Sequence, residues 1–61
     1  NYLRIYNRTG NLVFQTTNIK EGWDGKENGK IVQEDTYIYR VSFTDVFNEE
    51  HQITGRVSVV K

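Results

Sequence analysis

Few side chains in this sequence are of a type and spacing to do chemistry. Asp24, Asp35 and Asp45, with Glu27, Glu34, Glu49 and Glu50, are the carboxylates that could form an acid/base pair or hold a cation. Glycoside hydrolysis needs two carboxyl groups held across one cleft. A calcium loop needs several oxygens converging from a D-x-D-x-D-G spacing. That spacing does not occur here, and the acids stand beside turn residues, where they read as solvated surface charge. His51 is the only histidine, so a His pair or a His-based metal cluster cannot form, and it reads as a surface residue near a strand end. No serine sits in a G-x-S-x-G frame, and the absence of cysteine removes disulfides and thiolate metal sites. An enzyme is therefore the least favoured class, with no catalytic residue, no metal and no cofactor expected.

The aromatic residues offer a different kind of chemistry. Tyr2, Tyr6, Phe14, Trp23, Tyr37, Tyr39, Phe43 and Phe47 could stack on sugars or unpaired bases. A platform for single-stranded nucleic acid would also carry a basic groove. Eight basic and eight acidic residues cancel here and neither gathers in a stripe, so no nucleic-acid partner is expected. At strand spacing such rings more often build core, which is the reading for Trp23, Tyr37 and Tyr39. Tyr2, Tyr6 and Phe47 are the exposed candidates.

The elements that must position these residues are all strands. Tyr2-Leu3-Arg4-Ile5-Tyr6 alternates, with Leu3 and Ile5 on one face and Tyr2, Arg4 and Tyr6 on the other. Asn7-Arg8-Thr9-Gly10-Asn11 is a turn with Gly10 as its positive-φ residue, and Leu12-Val13-Phe14-Gln15-Thr16 returns as the second arm of a hairpin. Thr17-Asn18-Ile19-Lys20-Glu21 reads as a crossing loop with Ile19 as an inward anchor. Gly22-Trp23-Asp24-Gly25-Lys26 is short and extended. Asn28-Gly29 is the residue pair of a type I′ turn.

Residues 37 to 44 form the longest alternation, with Tyr37, Tyr39, Val41 and Phe43 on one face. A polar turn interrupted by Val46 and Phe47 precedes a last strand from His51 to Lys61, where Gly55 points to a bulge or a close approach. No helix is expected. Sixty-one residues allow a single domain, 1–61, and no apolar run approaches the roughly 18 residues of a membrane span. Four or five antiparallel strands fit an all-β, Ig-like β-sandwich that is incomplete at its N-terminus, since such a fold uses about seven. The missing strand would lie upstream or come from a partner.

Several stretches together resemble the gliding-motility-associated C-terminal domain family. They are Asn7-Arg8-Thr9-Gly10-Asn11-Leu12-Val13-Phe14, then Trp23-Asp24-Gly25-Lys26 with Asn28-Gly29-Lys30 and Thr36-Tyr37-Ile38-Tyr39, and finally Thr54-Gly55-Arg56-Val57-Ser58-Val59-Val60-Lys61. The residues that match its motifs are Asn7, Arg8, Gly10, Trp23, Gly25, Asn28, Gly29, Tyr37, Tyr39 and Gly55. Thr9 stands where that family has tryptophan, and Asp35 where it has glycine, a place where aspartate would have to accept left-handed geometry.

The resemblance implies a non-enzymatic sorting signal at the C-terminus of a longer surface or secreted protein, an adhesin for instance. Its route would be the type IX secretion system of Bacteroidetes, and its partners that machinery and an outer-membrane β-barrel protein. Most motif residues read as fold-determining, with Arg8 and the terminal strand the candidates for recognition. Two other readings stay open: an adhesive or carbohydrate-binding Ig-like module using Tyr2, Tyr6 and Phe47, and a structural spacer like the Ig-like domains of the flagellar hook-cap protein.

Overall fold

The computed structural model describes residues 1–18 and 20–60, so the anchoring role expected of Ile19 lies outside the described residues. Every regular element in it is a strand, and every strand pairing is antiparallel. The strands are β1 (Tyr2–Tyr6), β2 (Leu12–Thr16), β3 (Lys26–Glu27), β4 (Lys30–Ile31), β5 (Asp35–Thr44) and β6 (Glu50–Val59). β5 begins two residues earlier than the alternation indicated, because Asp35 and Thr36 pair with Val59 and Ser58. A four-stranded sheet runs in the order β2-β1-β5-β6, so β1 and β5 are central and β2 and β6 are edges. β3 and β4 form a separate two-stranded ribbon.

The two hairpins at the ends of the chain turn by the same device. Asn7 Oδ1 accepts the N–H of Thr9 and of Asn11, and Gly10 follows at φ 89°. Asp45 Oδ1 accepts the N–H of Phe47 and of Glu49, and Asn48 follows at φ 63°. In both, an Asx side chain stands in for backbone acceptors and a residue that tolerates left-handed geometry closes the turn three positions later. Between β3 and β4 both central residues have positive φ, 53° at Asn28 and 81° at Gly29, which is the type I′ turn read from the residue pair. Asp35, by contrast, does not adopt left-handed geometry. It is the first residue of a strand, where the extended backbone takes a side chain without strain.

Among the described residues the ladders hold one bulge, and not at Gly55. Ile5 faces Phe14 while Tyr6 faces Leu12, so Val13 is an extra residue in β2. This lets two consecutive side chains, Val13 and Phe14, both pack on the core. The β5–β6 ladder keeps an unbroken register from Asp35↔Val59 to Thr44↔Glu50. Gly55 serves the second of the two purposes expected of it, a close approach.

The core lies on one face of the sheet. Ile5, Val32 and Tyr37 are its buried residues, ringed by Leu3, Val13, Phe14, Trp23, Tyr39, Val57 and Val59. Val32 and Trp23 come from the segment that carries the β3–β4 ribbon, which therefore forms a thin second layer. Tyr37, near the start of β5, donates its hydroxyl to Gln33 O at 2.9 Å. A tyrosine tied to backbone a few residues upstream in this way also marks the corner of Ig-like sandwiches. The opposite face of the sheet carries Tyr2, Arg4 and Tyr6 of β1 beside Ser42, Arg40 and Ile38 of β5.

Candidate functional site

The motif residues gather in three places. Asn7, Arg8 and Gly10 make the first turn. Asn7 is its organiser: beyond the two backbone bonds, its Oδ1 accepts the Thr9 hydroxyl at 2.8 Å. Thr9 is thus a polar member of the turn. Arg8 reaches across to Asp35, Nη1 to Oδ2 at 3.7 Å, with its own side chain largely in solvent. Asp35 also accepts the N–H of Thr36 through its other oxygen. Asn7, Arg8, Asn28, Asp35 and Tyr37 border one open depression of about 640 Å³ between this turn and the ribbon. It is open to solvent, with Asn7, Arg8, Thr9 and Asn28 of the turns on its border and Val13, Ile31, Val32 and Tyr37 as its apolar lining.

Trp23, Gly25, Asn28 and Gly29 build the cover. Trp23 meets Tyr37 edge to face, with ring centroids 5.3 Å apart at 61°, and donates Nε1–H to Lys26 O. Gly25, at φ 78°, presents its carbonyl to the N–H of Val32, which holds Val32 over the core. Asp24 Oδ1 caps the N–H of Lys26. Tyr39 and Gly55 are direct cross-strand partners, and the Tyr39 ring lies over the glycine. Trp23, Tyr37 and Tyr39 are thus core rings, as read from their spacing.

Tyr2, Tyr6 and Phe47 are not brought together. Tyr2 and Tyr6 are half-buried on the open face with Arg4 between them, and the Arg4 guanidinium lies 4.0 Å over the Tyr2 ring. Phe47 is 81% exposed at the β5–β6 turn, beside Val46.

His51 has company that spacing alone did not reveal. Its Nε2 lies 2.7 Å from Asp45 Oδ2, its ring stacks on Phe43, and Glu49 stands close by. The antiparallel return brings these groups together from the two sides of the turn. The His51 contact and the Glu49 N–H hold the Asp45 carboxyl below its usual 3.8, against a small opposing effect of desolvation. Asp45 is already engaged by two backbone N–H groups and the imidazole, so the cluster is a clasp on an exposed turn. The Asx-x-x-Gly/Asn spacing shared by Asn7–Gly10 and Asp45–Asn48 was a signal for the turn, but not for the approach of His51.

Antiparallel strands, with the motif residues placed in turns and core around one open depression, describe a small all-β domain. The chain matches the type IX secretion signal domain family (CHU_C) over residues 1–59 and belongs to it. No curated protein and no solved structure matched it. This is a family of sorting signals and not of enzymes, whose proteins are exported to the cell surface or the medium by engaging the secretion machinery. No helix among the described residues is long and apolar enough to cross a membrane.

Proposed function

We propose that this chain is the single C-terminal sorting domain of a longer surface or secreted protein of the Bacteroidetes, an adhesin of the gliding-motility type, and that it docks on a partner outer-membrane β-barrel protein. The observation that carries this reading is the placement of the motif residues. Asn7, Gly10, Gly25, Asn28 and Gly29 set turns, and Trp23, Tyr37, Tyr39 and Gly55 set the core, so the motif specifies a shape. Among them Arg8 keeps its charge at the surface. Arg8 and the edge strand β6 are the parts assigned to recognition, because an edge strand offers unpaired main-chain groups to a partner.

The test is to fuse the complete C-terminal region to a fluorescent reporter in a host with a type IX system. The reporter should reach the medium or cell surface, and should do so only when the cognate barrel protein is present. Retention of the reporter in the periplasm overturns the sorting reading. Export that is indifferent to every candidate barrel overturns the docking reading.

A further inference from the structure

We infer that the open face of the sheet, centred on Arg4, Arg40 and Arg56, is the surface that docks on an acidic patch of a protein of the export route. This deepens the sorting function proposed above and rests on it. Three of the four arginines of the chain fall on this one face. Arg4 and Arg40 are direct cross-strand partners, and Arg56 lies across from Ile38, diagonal to Arg40. Like charges directly opposite one another destabilise a sheet. An arrangement held against that repulsion is understandable if an anion from elsewhere relieves it. Among the described residues no carboxylate does so. The carboxylates that lie beside a basic side chain are Asp35, next to Arg8, and Asp45, next to His51. The one acid on this face, Glu50, stands at its far end across from Thr44. Arg4 is held in place by its contact with the Tyr2 ring, and its Nε is shielded from solvent without a hydrogen-bond partner.

The composition of the face selects the partner. Arginine and tyrosine, with Ile38 between, are the residues enriched at the energetic centres of protein interfaces. Guanidinium groups match carboxylates through paired hydrogen bonds. Lys20, Lys26 and Lys30, the charges that an anionic lipid surface would engage as well, lie away from it in the loop and the ribbon. The hollow on this face, beside Tyr6, Ile38 and Arg40, is open to solvent, which suits a protein surface better than a sugar ring.

The experiment uses the same reporter fusion. Arg40→Glu with Arg56→Glu should lower export by about tenfold or more, and Lys26→Glu should leave it unchanged. Thr54→Glu separates recognition from folding. Thr54 is the cross-strand partner of Arg40, so a carboxylate there offsets one of the three positive charges while adding a favourable pair to the sheet. Its melting temperature should be unchanged or raised and its export reduced. Export of Thr54→Glu at the wild-type level overturns the inference, as does capture of the purified fusion by phosphatidylglycerol vesicles that is lost in the Arg40→Glu, Arg56→Glu variant. Failure of the wild-type fusion to leave the periplasm instead removes the sorting function on which the inference rests.

Discussion

Gly55 lies directly across from Tyr39 in the β5–β6 ladder, and the Tyr39 ring fills the space that a side chain at position 55 would need. The glycine is there for a neighbour's sake: it has ordinary extended backbone, and a β-carbon would run into the tyrosine hydroxyl and ring. Gly55→Ala should therefore destabilise the domain by about 1–3 kcal/mol, the usual range for overfilling a packed site. In a background carrying Tyr39→Ala the same change should cost much less. Urea unfolding of the two single variants and the double variant measures that coupling, and simple additivity would show that the contact does not matter.

Asn7 makes one side-chain oxygen serve two backbone N–H groups and a hydroxyl. Asn7→Ala should cost about 1–2 kcal/mol, less than the sum of three bonds because the freed groups regain water. Asn7→Asp keeps the acceptor and should recover most of the loss. Thermal denaturation of the pair checks this, and equal melting temperatures for both variants would contradict it.

Tyr37→Phe should cost about 1 kcal/mol by removing the hydrogen bond to Gln33 O while leaving the ring on Trp23 and Ile5. Hydrogen exchange adds a local readout: protection should fall first in residues 23–33, the layer that this bond fastens to the sheet.

The acid side of the stability profile follows from Asp45. Its carboxyl is held below 3.8 in the folded chain, so the ionised form is favoured by folding. The resulting stability is fully present well above 3.8 and is lost as pH falls below that value through the lower folded pKa. Asp45→Asn should flatten this part of the curve. Melting temperatures from pH 6 down to about pH 2 test it, and an unchanged slope in the variant would refute the assignment.

Val57 faces the core from an edge strand. Val57→Asp places a carboxylate there at about 3 kcal/mol, a large share of what a domain this small can hold. Folding and export of a fused reporter should be lost together, and export at the wild-type level would break the link between shape and sorting.

The two hairpins and the I′ turn were legible in the sequence because each depends on local chemistry: alternation, an Asx residue, a glycine or asparagine at the left-handed position. Tyr37, Tyr39 and Trp23 were legible as core rings for the same reason. The Val13 bulge was not, since it depends on how β2 must twist to bring two adjacent apolar side chains onto Ile5. Nor was the meeting of His51 with Asp45, which requires knowing where the strand register falls after the turn. The arginine face was hidden more deeply. Arg4, Arg40 and Arg56 are scattered along the chain, and only the pairing of β1 with β5 and β5 with β6 makes them neighbours.

The sheet order has a consequence for how the domain holds together. Each outer hairpin is complete within its own stretch of chain, and the two are stitched through the five facing positions of β1 and β5. A single proteolytic nick in the loop after β2 would turn that seam, and the core behind it, into an association between separate molecules. Its strength would then vary with dilution.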